Sequence, residues 1–494
     1  MRRLLFVVPA LLLVACGGAS DGGSSAPDQS ADVAPAAVAA VTDEPLDEAS
    51  NSDLTPFDPD AADLERLIFW DNVVFFPIEV PEPLQALLDM LLASDDPSAA
   101  PYLADLAALP NPYRDEVFDR LKERFDRPFA QTVYEFADLF PLTSVEQDSE
   151  AYLRFKRRLF ASLVPTFGNF LHQAKPRTIS AREVVWGGVG VDGIPPLELP
   201  RFITPDQAAD WIRPRDEVIG VEINGDVRAY PIRIIAWHEM VNDTIGGVPV
   251  SLAYCTLCGS AILYDGRVDG TLYRFGTSGL LYRSNKLMYD RVTGTLWNQF
   301  TGAPVWGQLV GEGIRLTTLP SVYTTWAEWV AAHPDTTVLD IETGFVRDYG
   351  PGVAYADYNS TPNLWFNVPL RDDRLRLKDD VYVVRVDDDL TAYPTKLLAE
   401  LRVIHDRVGN QDVVIVATAD GKGGRSFASA GLHFTSKDLA GGVLTSADGR
   451  TWRITESALV GSDGTSLERI AGHNAFLFAI ANQTPNGRLY EPDA

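Results

Sequence analysis

The sequence predicts an α+β chain in which an N-terminal all-helical domain precedes a β-rich module present twice, as a pseudo-two-fold internal repeat. Three observations carry this. Apolar residues recur at three- and four-residue spacing through residues 59–175. From residue 176 on, short β-branched and aromatic runs are separated by Gly, Asp, Asn and Pro. Within that second region, two stretches match each other at one constant offset. At 494 residues the chain is also too long for a single core.

Taken in order, the first residues read "MRRLLFVVPALLLVAC", two arginines and an apolar run ending at Cys16. The run is too short to span a bilayer and has the form of a signal peptide. Small residues ahead of a cysteine resemble a bacterial lipoprotein signal over residues 1–16, with Cys16 as the lipidated first residue of the mature protein. Gly17-Gly18 lacks the acidic residue that favours inner-membrane retention, so the expected address is the cell envelope, on the outer membrane. Residues 17–58 are Gly, Ser, Ala, Pro and acid, and residues 17–60 hold no Lys or Arg. Such a stretch buries too little to order itself and reads as a tether. The net charge of −26 repels phosphate backbones, which argues against nucleic acid as a partner. The expected attachment to membrane is the lipid anchor.

Between 59 and 175, "PLQALLDMLLA", "YLADLAAL", "RDEVFDRLKERF" and "AYLRFKRRLFASLV" each place apolar residues on one helical face. No chemistry is evident there, and contact with an envelope protein partner is the expected role. The β-rich region then divides into a first repeat, 176–345, and a second, 346–494. "VIGVEINGDVRAYP" (218–231) aligns with "VYVVRVDDDLTAYP" (381–394), and "VNDTIGG" (241–247) with "IHDRVGN" (404–410). Residues shared by both copies, among them Tyr230, Asp243 and Trp297, serve the common fold. Residues confined to the first copy are free for chemistry. His238 becomes Leu401, Glu239 Arg402, Cys255 Thr418 and Cys258 Gly421; Met288, Asp290 and Arg291 align with Val443, Thr445 and Ser446. The site is therefore expected in the first copy.

Its centre is "YCTLCGS" (254–260), which holds two of the three cysteines of the chain. "VPVSLAYC" alternates as a strand and "SAILYD" follows as another, so Cys-x-x-Cys-Gly occupies a tight connection. The glycine permits the positive φ such a turn needs. A redox dithiol more often opens a helix, whose N-terminus lowers the first thiol's pKa. The turn also suits a metal knuckle, and a tetrahedral site then needs further ligands. A helix over 232–241 would turn Ile234, His238 and Val241 inward and Glu239 away. Cys255, Cys258 and His238 would then bind copper or zinc, with one position open or filled by Met288 as a thioether ligand. Glu239, Asp290 and Arg291 are the candidate acid–base and anion-clamping groups, while Asp290-Arg291 also reads as a turn ion pair. Two other readings use the same cysteines: a thiol–disulfide redox pair, and an inert structural disulfide in an envelope scaffold.

With these motifs assembled, residues 187–345 resemble the bacterial and archaeal family called domain of unknown function 3179. The resemblance rests on "DGIPPLELPRF", "AYPIRIIAWHEMVND", "GVPVSLAYCTLCGSAILYD", "SGLLYRSNKLMYDRVTGTLWNQ" and "TTWAEWVAAHPDTTVL". The second half is similar to the family's own C-terminal half. The family tends to carry proline inside its Cys-x-x-Cys, where this chain has Thr256 and Leu257. The resemblance implies no activity.

Overall fold

The computed structural model describes residues 82–492 except 95–98, 137–141, 367, 369–371, 373 and 436–438. Cys16, the 1–16 signal, the 17–58 tether and the start of the 59–175 stretch lie outside the described residues. The fold is mixed α+β, mostly sheet with few helices. No helix among the described residues is long and apolar enough to cross a membrane.

All four periodic stretches are helical: Glu82–Ala93, Ala100–Ala108, Arg114–Arg124 and Glu150–Leu163. The last starts at Ser149, whose hydroxyl accepts from the Tyr152 amide, and ends where Pro165 forces Val164 out of helical backbone. Its buried face carries Lys156, which pairs at 2.9 Å with the buried Asp105 while Tyr152 donates to the same carboxylate. These helices do not close a core of their own. Tyr102, Phe155 and Phe160 share one apolar cluster with Leu280, Leu287, Leu296 and Trp306. Those last four belong to a five-stranded sheet ordered Val184–Trp186, Phe275–Tyr282, Asn285–Asp290, Leu296–Asn298, Pro304–Trp306.

The remainder holds two hairpin-centred sheets. In the first half, Glu217–Ile223 and Asp226–Pro231 form a hairpin across Asn224-Gly225, both with positive φ as a type I′ turn requires. Val322–Thr325 adds antiparallel on one side and Thr337–Leu339 parallel on the other. In the second half, the hairpin Asp380–Val386 and Asp389–Pro394 takes Gly472–Phe476 antiparallel and Arg488–Leu489 parallel. Each hairpin leads through a short helix, Ile232–Ile235 or Thr395–Leu401, into an antiparallel meander. The first meander is Met240–Ile245, Val248–Cys255 and Ser260–Asp265; the second is Val403–Val408, Gln411–Ala417 and Gly424–Ala428.

The expected helix over 232–241 is corrected here. Helix spans only Ile232–Ile235, and Glu239 takes the left-handed conformation, φ 55°, just before Met240 enters the sheet. Pairing of Met240–Ile245 with Val248–Cys255 outweighs the helical periodicity of the segment. Arg402 makes the same turn, with φ 65°, ahead of Val403.

Candidate functional site

Cys255 is the last residue of its strand, paired with Ser260 across the turn. Thr256–Cys258 form a single 3₁₀ turn, and Gly259 closes it at φ 58°. A side chain at 259 would be strained by that angle, and its Cβ would stand 3.0 Å from the Phe476 ring. Both cysteines are unbridged and sealed from solvent, at 1% and 0% exposure. The seal comes from both halves. Their apolar cluster includes Ile262, Met288 and Trp297 from the first half and Val381, Ala475 and Phe478 from the second.

The two cysteines are close enough on the turn for Cys255 to act on the Cys258 thiol. The Cys258 thiol donates to the Ser284 carbonyl at 3.0 Å. Burial pushes this thiol well up, contact with Cys255 adds to the shift, and a hydrogen bond from Asn285 pulls it back. Asn285 also donates to Gln299 at 2.9 Å, and Gln299 donates to the carbonyls of Ala253 and Ser260, so a buried amide pair braces the turn. The Ser260 hydroxyl and the Asn285 carbonyl oxygen have no hydrogen-bond partner among the described residues.

Two charged groups share this dry region. Glu239 is buried, and desolvation raises its pKa against the charge of Lys286 and hydrogen bonds from Thr256 and Tyr355. Lys286 is buried as well, its pKa pushed down by desolvation and supported by Glu239 and both cysteines. Its ammonium donates to the Glu239 backbone carbonyl, which also accepts from the Tyr254 amide at 2.9 Å. Lys286 escaped sequence reasoning because an isolated lysine in a strand normally faces water; its burial against the Glu239 carbonyl shows only in the fold.

The other expected site residues go elsewhere. His238 is buried, but Nδ1 lies 2.8 Å from the Pro195 carbonyl and Nε2 2.6 Å from the Tyr349 hydroxyl. Both ring nitrogens are thus engaged, and the early end of the helix has removed the register that would aim the ring at the cysteines. No group of three or more His, Cys, Asp or Glu side chains able to hold a metal occurs among the described residues. The expected Cys255–Cys258–His238 ligand set is therefore not assembled. Met288 stands opposite Trp297 in the sheet, buried in the cluster that also holds the cysteines and Met240.

Asp290 is buried and its carboxylate is fully engaged as an acceptor. Its carboxylate takes the amides of Val292, Thr293 and Thr295, the Thr293 hydroxyl and the Trp297 indole N–H, which last lies at 2.9 Å. In the second half the Trp452 indole donates to Ser446 instead, at 2.9 Å. Leu444, not Val443, stands opposite Trp452, so this part of the sequence alignment shifts by one residue. Arg291 does not pair with Asp290. It meets Asp192 at 3.0 Å and Glu198 at 3.6 Å, on the surface of the helix-covered sheet. A cavity of about 320 Å³ in the second half, lined by Arg374, Thr484 and Arg488 among others, includes none of the expected site residues.

The arrangement is thus a buried dithiol with a carboxyl and an ammonium nearby. Comparison with known proteins adds one finding. A family model described as "Protein of unknown function (DUF3179)" matches residues 191–487, which covers both hairpin-centred halves. No curated protein and no solved structure matches.

Proposed function

The chain belongs to the DUF3179 family of unknown function, and we propose that it is a dithiol redox protein whose Cys255–Cys258 pair cycles between two thiols and a disulfide. The observation that carries this reading is a pair of buried, unbridged cysteines on one tight turn, with no group of three or more His, Cys, Asp or Glu gathered there among the described residues. In the oxidative direction, one thiolate attacks the disulfide of an external partner and displaces a partner thiolate. The second cysteine then attacks the mixed disulfide, forming Cys255–Cys258 and releasing the partner as a dithiol. Two electrons pass to the partner's sulfurs, and the two protons lost here are balanced by the two it gains. The reverse sequence reduces this pair.

A metal reading keeps one specific support. Two thiolates can hold a soft monovalent copper ion without an imidazole, and two methionines lie in the cysteines' own apolar cluster. Tetrahedral zinc, with its greater ligand need, is less well served. Metal content and thiol count after purification without a histidine tag separate the readings. The redox reading predicts thiols that oxidise and reduce reversibly in metal-free protein; stoichiometric copper that blocks this cycle supports the metal reading.

We further infer that the halves descend from one duplicated unit. The support is the shared order of hairpin, short helix, meander, antiparallel strand, helix and parallel strand. Tyr230 donates to Asp243 at 2.7 Å, and its counterpart Tyr393 to Asp406 at 2.8 Å. On this reading the first copy kept the sulfurs and the second became part of their cover. The lipid-anchored envelope address remains the proposal made by residues 1–16. Cys16→Ala should release the protein from the membrane fraction, and retention would count against it.

A further inference from the structure

A dithiol sealed from solvent cannot react until something moves, and one segment lies across it. Residues 343–366 join the two halves between the strands Thr337–Leu339 and Asp380–Val386, with one short helix, Ala356–Asn359. Long connections with so little regular structure are uncommon inside compact units and tend to be functional. This one crosses directly over the dithiol turn and is tied down by the hydroxyls of three tyrosines. Tyr349 donates to Nε2 of His238 at 2.6 Å, Tyr355 to the Glu239 carboxyl at 3.3 Å, and Tyr358 to the Leu257 carbonyl, inside the Cys-x-x-Cys itself, at 2.7 Å. Gly344 and Gly352, both at positive φ, lie along it, and its leading end leaves Phe345 40% and Val346 95% exposed.

We propose that residues 343–366 form a strap that gates access of a thiol or disulfide reactant to Cys255 and Cys258, with His238 as the positioning residue that latches it. This rests on the dithiol reading and gives His238 a role that its contacts carry. The ring is held from behind by the Pro195 carbonyl, so Nδ1 carries the proton and Nε2 is left to accept from the strap. Releasing the strap removes the tyrosine hydroxyl from the turn that carries both sulfurs while leaving the sheets intact.

The test is the rate at which iodoacetamide labels Cys255 and Cys258 in the folded, reduced full chain. Tyr349→Phe and Tyr358→Phe each remove one strap anchor and keep the ring. Labelling should accelerate roughly tenfold, the factor that corresponds to about 1.4 kcal/mol. Trypsin should also cleave faster at Arg347. Tyr393→Phe, which removes a comparable buried hydrogen bond in the second half, should leave both rates unchanged. Equal labelling in wild type and the strap variants would overturn the gate, as would equal acceleration by Tyr393→Phe, since exposure would then follow general unfolding. Alkylation requires no redox cycling, so the gate and the dithiol function can fail separately.

Discussion

Nε2 of His238 accepts a hydrogen bond from the hydroxyl of Tyr349 at 2.6 Å, and Nδ1 of the same ring donates to the Pro195 carbonyl at 2.8 Å. A carbonyl can only accept, so this pair of contacts fixes one neutral tautomer. Burial pushes the imidazole down to about 4, Arg347 pushes the same way, and the Pro195 bond opposes them.

A pH dependence follows. Between the unfolded value of 6.5 and the folded value of about 4, the unfolded chain holds the extra proton. The stabilisation from a neutral His238 is complete above that window and is lost as pH falls through it. His238→Gln should therefore narrow the drop in thermal midpoint between neutral pH and about pH 4.5, by an amount corresponding to a few kcal/mol at most. A wild-type and variant drop of equal size would show that the ring is not buried neutral.

Asp290→Ala should destabilise the chain by about 3 kcal/mol or more, because it orphans several buried donors at once, the Trp297 indole included. At a temperature where the variant is folded, its thiol chemistry should match wild type. A selective loss of thiol reactivity without a stability change would restore Asp290 to a chemical role.

Gly259→Ala meets two penalties, a left-handed backbone angle and the Phe476 ring at 3.0 Å. A cost of about 1–3 kcal/mol is expected, together with faster thiol labelling as Phe476 is displaced. Phe476→Ala in the same chain should relieve the clash and recover part of the lost stability, while labelling stays fast. Simple additivity of the two changes would mean that the turn and the second half are not packed as described.

The matched pairs Tyr230–Asp243 and Tyr393–Asp406 make a further comparison. Tyr230→Phe and Tyr393→Phe should each lower stability by about 1–3 kcal/mol. Both rings are fully buried and each carboxylate also meets an arginine, Arg228 or Arg488. Asp243 is itself buried while Asp406 is only partly so, and the loss of Tyr230 should cost more. The reverse order in chemical denaturation would contradict equivalent roles for the two residues.

Much of this fold could be read from local pattern. The helices of 82–163 carry their apolar stripes in the sequence, and the strand–turn–strand around Cys-x-x-Cys-Gly follows from alternation and one glycine at φ 58°. Where sequence reasoning failed, a tertiary choice overrode a local one. "YPIRIIAWHEM" has helical spacing, but strand pairing claims Met240 onward, and that early stop sends His238 to Pro195 and Tyr349. The acceptor role of Asp290 was equally hidden, because only the fold shows it taking the Trp297 indole N–H as Ser446 takes that of Trp452. Lys286 and the strap were invisible for a different reason. Their meaning depends on which distant residues lie under them, and the spacing of a single chain does not encode that.

The most direct test is a redox titration of the metal-free full chain in buffers of graded dithiol–disulfide ratio, with alkylation and mass spectrometry of the peptide that holds both cysteines. The dithiol account predicts one reversible two-electron transition between the two-thiol and Cys255–Cys258 disulfide forms, abolished by Cys255→Ser or Cys258→Ser. Sulfurs that stay reduced across the whole range in the folded protein, or that oxidise only once it unfolds, would contradict it.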